Sequence, residues 1–64
     1  MGKIRRAGFL FLFWKGDHLP RHVHVYQDGE LVVKWDLDRD RPIYGTASRK
    51  VKETIRALRA EGQL

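Results

Sequence analysis

The strongest constraint on the fold is an unbroken apolar and aromatic run, FLFLFW, at residues 9–14. Glycines at positions 8 and 16 bound this run, and it is too short for a buried helix, so we predict a β-strand over residues 7–15. Alternate residues of a strand point to opposite faces of the sheet. The phenylalanines therefore face one way, and the leucines and Trp14 face the other. Both faces of this strand are apolar, and we expect both to be covered.

Chain length and cysteine content limit what can stabilise the fold. The chain has 64 residues, which predicts a single small domain over residues 1–64 that buries only about 60% of its unfolded surface. It contains no cysteine, so disulfides and thiolate metal sites are excluded. A metal held by histidines and carboxylates, or a partner subunit, remains as the additional source of stability. The absence of cysteine is typical of the cytoplasm, where we expect the protein. The apolar run is far too short to cross a membrane.

Two more strands and a hairpin are predicted after the apolar run. The alternating segment HVHVY at residues 22–26 and the segment ELVVKWDLD at residues 30–38 are typical of strands. Asp28 and Gly29 lie between them, and this dipeptide favours a two-residue type I′ turn. The polar segment RDRPIYGT at residues 39–46 is predicted to be a loop.

The predicted turn also fixes a pairing register for the hairpin. In a regular ladder it pairs His24 with Val33 and His22 with Trp35, and directly opposed residues share a face. We therefore predict that both imidazoles lie on an apolar, aromatic surface of the sheet. A one-residue bulge near the turn would shift this pairing.

The C-terminal segment, residues 46–64, has helical periodicity. Thr46 or Ser48 caps its N-terminus, and Gly62 ends it. Apolar residues recur at the spacing of one helix face, at Ala47, Val51, Ile55 and Leu58. The order of elements predicts an α+β fold, a three-stranded antiparallel β-meander followed by one C-terminal α-helix packed on the sheet. One helix covers only one face, so we expect a second copy of the chain to cover the other face and form a homodimer.

The charge of the chain favours phosphate-bearing partners. Thirteen Lys and Arg residues against eight Asp and Glu residues give a formal net charge of +5. Four basic residues form a stripe beside the apolar face of the helix: Arg49, Lys52, Arg56 and Arg59. We predict that this stripe binds the phosphates of RNA. The alternative is a solvated helix face, in which Arg49 pairs with Glu53 one turn later.

All three histidines lie within GDHLPRHVHVYQDG, residues 16–29. His22 and His24 are two apart on a strand and can point at one ion, and Asp17 and His18 in the preceding loop can complete its shell, which predicts a site for a divalent transition metal. The same four residues are candidates for acid–base catalysis without a metal. In a purely structural role, the imidazoles pack beside a tryptophan while Asp17 bonds the backbone of a turn. Residue spacing leaves these interpretations open, and whether the protein is an enzyme stays open with them.

The segment GDHLPRHVHVY resembles the signature of a family of small bacterial proteins of unknown function, whose motif has the form D-H-x-P-P-H-x-H. Five residues match this motif: Asp17, His18, Pro20, His22 and His24. Arg21 departs from it, because the family usually has a second proline there. The resemblance extends over the apolar strand, the hairpin, the WDLD segment and the basic helix. It implies a small cytoplasmic protein that occurs beside a second small protein, in arrangements similar to toxin–antitoxin pairs.

Two functions of different classes fit these observations. In the first, the protein engages RNA as a toxin-like member of a two-protein module, with the basic stripe on phosphates and the histidines binding or cleaving. In the second, it is a non-enzymatic module that binds a cognate small protein through its open sheet face and is stabilised by a metal at the histidines. A domain of this size is too small for a deep pocket, which favours the second function.

Overall fold

The computed structural model describes residues 2–14 and 21–64. Its elements are β1 (Gly2–Arg6), β2 (Phe9–Phe13), β3 (His22–Gln27), β4 (Glu30–Asp36), β5 (Arg41–Gly45) and α1 (Arg49–Ala60). The strands form one antiparallel sheet in the order β1-β2-β3-β4-β5. The α+β class with a C-terminal helix is confirmed. The prediction of three strands is wrong, because the described residues form five. Among them no helix is long and apolar enough to cross a membrane.

The predicted first strand is the second strand of the sheet. Ala7 and Gly8 have φ angles of 57° and 83°, and the adjacent Arg6 and Phe9 are paired, which is the geometry of a two-residue type I′ hairpin. The segment before this turn, GKIRR, becomes β1 and pairs with β2 along its length. β1 was not predicted because it is a charged edge strand with a single inward apolar residue, Ile4, and so has little hydrophobic periodicity.

The segment predicted to be a polar loop contains β5. Tyr44 pairs with Lys34 and Arg41 pairs with Asp36 at the edge of the sheet. Every residue of β5 is exposed, so it has no inward apolar face for sequence periodicity to report. Pro42 fits here because an edge strand does not need every backbone N–H for pairing.

The β3–β4 hairpin has the predicted turn but a different register. Asp28 and Gly29 have φ angles of 52° and 79°, in agreement with a type I′ turn. Tyr26 pairs with Leu31, but the next pair is Val25 with Val33. The intervening residue of β4, Val32, is therefore an extra residue, a β-bulge.

This bulge changes the face on which the β4 residues lie. Val23 pairs with Trp35, while His24 pairs with Lys34 and His22 pairs with Asp36. The predicted pairs of His24 with Val33 and His22 with Trp35 are wrong. The bulge is favourable because it brings Val33 and Trp35 to the same face of the sheet as Val23 and Val25, where all four side chains are buried.

The core lies between α1 and one face of the sheet, which we call the inner face; the opposite face is the outer face. The buried apolar residues are Phe9, Phe11, Val23, Val25, Val33, Trp35, Leu37, Ala47, Val51, Ile55 and Leu58. The predicted apolar face of the helix is thus confirmed. Ser48, rather than Thr46, is the N-cap, since its Oγ accepts a hydrogen bond from the Val51 N–H at 3.2 Å. After α1, Gly62 takes a φ of 76° and its N–H bonds the Arg59 carbonyl.

Candidate functional site on the outer face of the sheet

The outer face carries a row of aromatic and imidazole rings among aliphatic and basic side chains. Strand alternation and register place the following residues on it: Lys3, Arg5, Leu10, Leu12, Trp14, His22, His24, Tyr26, Lys34 and Tyr44. The predicted division of the apolar run is confirmed, because the alternating phenylalanines belong to the core side and Leu10 and Leu12 do not. No element of the described residues packs over this face, since α1 lies on the inner one.

Three rings form a cluster at the end of β2 and the start of β3. The Trp14 ring lies edge-on to His24, with 4.8 Å between the ring centroids and 67° between the planes. It also lies 6.2 Å from the His22 ring at an angle of 34°. The two imidazole rings are 5.1 Å apart, again at 34°. Trp14 is nevertheless 47% exposed, so much of the indole is available to a ligand.

Basic side chains surround the ring cluster on neighbouring strands. Lys34 lies opposite His24 on β4, and on the other side Lys3 lies opposite Leu12, which itself pairs with His24. Partial burial, followed by electrostatic interactions with His22 and Lys34, lowers the pKa of His24 below its usual value. The His24 imidazole thus lies between the indole of Trp14 and the basic side chain of Lys34.

The carboxylate of Asp36, which lies opposite His22 in the register, accepts its hydrogen bonds from residues of the turn that follows it. Its Oδ1 accepts hydrogen bonds from the backbone N–H groups of Asp38 and Arg39, both at 2.9 Å, and Arg39 pairs with Oδ2 at 3.3 Å. These bonds, the one from the Arg39 N–H foremost, lower the pKa of Asp36. The same turn holds the start of β3, because the Leu37 N–H donates to the Arg21 carbonyl and Arg21 pairs with Asp38. The turn thus positions His22.

A shallow cavity of about 680 Å³ opens beside the two hairpin turns, at the other end of the outer face. The outer-face residues Arg5, Leu10, Leu12 and Tyr26 line it. Leu10 and Leu12 are half-buried and pair with Tyr26 and His24 respectively. An apolar strip therefore links the cavity to the ring cluster.

Comparison with protein families gives a match between residues 8–63 and a domain of unknown function, DUF4160. The chain belongs to the DUF4160 family. The match begins at the β1–β2 turn and includes the ring cluster, the bulged hairpin and α1. It agrees with the expectation of a small family of unknown function and assigns no activity. Neither the curated proteins nor the solved structures gave a match to this chain.

The predicted metal ligands are only partly within the described region of the DUF4160 domain. His22 and His24 are brought together, whereas Asp17 and His18 lie outside the described residues, so their contribution stays a prediction. Within residues 2–14 and 21–64, no group of three or more His, Cys, Asp or Glu side chains gathers in a way that could hold a metal ion. Of the four predicted metal ligands, the structure thus describes only the two imidazoles, which lie side by side.

The basic helix stripe of the DUF4160 domain lies on a different element from the ring cluster. Arg49 pairs with Glu53 at 3.1 Å, both exposed, and Arg59 donates to the Leu37 carbonyl. Lys52 and Arg56 are exposed on α1. Because α1 packs on the inner face, the sheet separates these two cations from the histidine pair on the outer face.

Sequence reasoning found part of this site and missed the rest. It predicted that Leu10, Leu12 and Trp14 share one apolar face of the strand, with a second copy of the chain covering the face left by the helix, and it singled out His22 and His24. It placed the histidines beside Trp35, which is buried in the core, instead of beside Trp14 and Lys34. Lys3 and Arg5 were missed because β1 was not predicted. One signal in the sequence could have identified them. In the segment KIRR, the apolar Ile4 alternates with the basic Lys3 and Arg5, as in a strand that pairs with the apolar run.

Proposed function

We propose that the outer face of the DUF4160 domain binds single-stranded RNA, with bases stacked on the rings and phosphates held by the basic side chains. The single observation that supports this most directly is the cluster of Trp14, His22 and His24 on the outer face, in which Trp14 is exposed and which Lys34 borders. The toxin-like role in a two-protein module, which the family resemblance implies, is a further prediction compatible with such binding.

The rings supply the sequence-tolerant part of the interaction. Unstacked bases bind to aromatic side chains on exposed sheet faces, and each stacked base contributes about 1–3 kcal/mol. Trp14 is 47% exposed and Tyr44, on the same face, is 59% exposed. Tyr26 lies two residues from His24 along β3, on the same face. The face thus offers several ring positions in a row, as an extended single strand requires.

The basic side chains supply the electrostatic part. Lys3 and Arg5 on β1 and Lys34 on β4 border the rings on both sides. The net charge of +5 attracts a polyanion at long range. Each phosphate contact on a single strand lowers the logarithm of the affinity by about 0.7 per tenfold rise in salt concentration. Binding to this face is therefore expected to weaken steeply with salt.

The experiment compares matched variants in binding to a fluorescently labelled single-stranded RNA, measured by anisotropy at several salt concentrations in EDTA. Trp14→Ala is expected to weaken binding about tenfold, because one stacking contact is lost. Trp14→Phe retains a ring and is expected to retain most of the affinity. Lys34→Ala is expected to reduce the salt slope by about 0.7.

Lys52→Ala, on α1, is the control for Lys34→Ala, because it removes the same charge from the other side of the sheet. It is expected to change neither the affinity nor the slope beyond the general effect of net charge. The proposal is wrong if no RNA binds at low salt, or if the Lys52 variant loses more affinity than the Lys34 variant. The second result would favour the helix stripe. A single-stranded DNA of the same sequence tests whether the 2′-hydroxyl matters, and a gel of the RNA after incubation tests for cleavage.

The apolar strip of Leu10, Leu12 and Trp14 favours a second candidate, a protein contact through the same face. A second copy of the chain or a cognate small protein would then cover the strip. Sedimentation of the purified protein distinguishes the two functions. A stable dimer that Leu12→Lys dissociates, together with the absence of RNA binding, would replace the RNA proposal by this one.

A further inference from the structure

We propose that His22 and His24 form a two-histidine binding site for a transition-metal cation of the nickel, copper and zinc class. This inference goes beyond RNA binding and does not rest on it. It also needs fewer ligands than the four-residue site predicted from the sequence, since it uses only side chains whose positions are described.

The distance between the two rings is the first argument. An imidazole nitrogen binds such a cation at about 2.0–2.1 Å, which puts the centre of the ring about 3.2 Å from the ion. Two rings at adjacent positions of an octahedral or tetrahedral ion then have centres about 4.5–5.2 Å apart. The observed separation of the His22 and His24 centroids is 5.1 Å. The centroid separation of the pair thus lies within the range that binding to one ion requires.

The rigidity of the surrounding sheet is the second argument. β3 lies between β2 and β4, so the backbone of His24 is flanked by Leu12 on one side and Lys34 on the other. Trp14 lies edge-on to the His24 ring at 4.8 Å and restricts its rotation. The bond from the Leu37 N–H to the Arg21 carbonyl, at 2.8 Å, holds the residue next to His22. Little conformational entropy is therefore lost when both rings bind one ion.

The donor set decides which cation is bound. Two imidazoles suit nickel, copper and zinc, whereas magnesium requires oxygen ligands. Two imidazoles leave further coordination positions open to water or to a ligand, as in a site that binds a metal without burying it. Lys34 opposite His24 repels a cation, so the site is expected to be weaker than a structural zinc centre.

The experiment titrates the untagged protein with Ni²⁺ alone and follows tryptophan fluorescence. Trp14 lies beside the pair and is expected to be quenched, while Trp35 is buried on the inner face and leaves a residual signal. His22→Gln and His24→Gln are each expected to weaken Ni²⁺ binding about tenfold or more, because one of two ligands is removed. Mg²⁺ is expected to have no effect, and EDTA is expected to reverse the quenching.

Two further variants keep the outcome decisive. Lys34→Gln is expected to tighten Ni²⁺ binding, because it removes the nearby positive charge. Trp14→Phe is expected to lose the fluorescence change but retain binding in calorimetry.

The inference is overturned if His24→Gln binds Ni²⁺ as tightly as the unchanged protein, or if quenching requires millimolar Ni²⁺. If a glutamine variant does not fold, nuclear magnetic resonance of the unchanged protein decides, since Ni²⁺ must broaden the ring signals of His22 and His24 together. RNA is absent from every sample, so failure of this test leaves the RNA proposal standing.

Discussion

His24 lies directly opposite Lys34 across the β3–β4 hairpin. The pairing puts an imidazole and an ammonium group on one exposed face, while the neighbouring pair, Val23 and Trp35, is buried on the other. The bulge at Val32 is responsible, since a regular ladder from the Asp28–Gly29 turn would have paired His24 with Val33. One extra residue therefore determines which side chains the outer face carries.

Deletion of Val32 is expected to retain this arrangement. Leu31 and Val33 then become neighbours, and the ladder from Tyr26 with Leu31 to Val25 with Val33 becomes regular, with His24 still opposite Lys34. We expect folding with a modest loss of stability, because Val32 packs at the border of the core. Amide spectra and cross-strand nuclear Overhauser effects report the pairing.

Deletion of Lys34 is the matched control. It retains the bulge but brings Trp35 opposite His24 and so moves the indole to the outer face, and we expect the protein to unfold. Equal tolerance of the two deletions would contradict the assigned register.

Ile55→Ala is expected to destabilise the protein by about 2–5 kcal/mol. Ile55 is 1% exposed at the contact between α1 and the sheet, and truncation leaves a cavity. In a domain this small, such a loss is comparable to the total free energy of unfolding. Arg56→Ala, its exposed neighbour on α1, is expected to change stability by less than about 0.5 kcal/mol. Urea denaturation followed by circular dichroism measures both, and similar midpoints for the two variants would argue against the packing of α1 on the inner face.

Gly45→Ala is expected to be far more disruptive than Gly29→Ala. Both glycines have positive φ angles, 78° and 79°, which cost an alanine about 1–2 kcal/mol. At Gly45 an added Cβ would also come within 2.2 Å of the Val32 carbonyl oxygen, whereas at Gly29 it meets open space. We expect the Gly45 variant to lose the pairing of β5 with β4, seen as rapid amide exchange in β5. Equal melting temperatures for the two variants would show that β5 does not approach Val32 this closely.

Acid is expected to destabilise the turn after β4. Asp36 and Asp38 both have lowered pKa values, through hydrogen bonds from the backbone of Arg39 and of Arg21 respectively. A carboxylate with a lowered folded-state pKa stabilises the fold above its unfolded pKa of about 3.9, and this stabilisation is lost as the pH falls through the folded value. Stability is thus expected to fall progressively below about pH 4.

Asp36→Asn tests the assignment of the acid effect to this turn. The asparagine can still accept a hydrogen bond but does not titrate, so its unfolding free energy is expected to be lower at pH 7 and less dependent on pH below 4. Parallel pH profiles for the variant and the unchanged protein would exclude Asp36 as a source of the acid sensitivity.

The helix and one turn were predictable from sequence because their signals are local. The 3.6-residue spacing of Val51, Ile55 and Leu58 and the Asp28–Gly29 dipeptide each specify a local geometry that the structure retains. The bulge at Val32 was not predictable, since it satisfies a demand of tertiary packing, the burial of Val33 and Trp35 against α1. The same limit applies to the candidate site. The alternating pattern of the strands identified its residues on β2 and β3. The residues beside them on β4 were not predictable because they depend on the bulge, and those on β1 and β5 were not predictable because these edge strands have little apolar content.

The pairing of β1 with β2 has a consequence for the behaviour of the protein at high concentration. β2 is the most apolar strand, and without β1 its backbone N–H and C=O groups would form a free edge to which the same strand of another molecule can add. β1 occupies that edge with a short strand bearing Lys3, Arg5 and Arg6, and Arg6 is tied to Glu61 just beyond α1. These charges repel an incoming strand. We therefore expect Lys3 and Arg5 on β1 to disfavour the addition of another strand at this edge of the sheet.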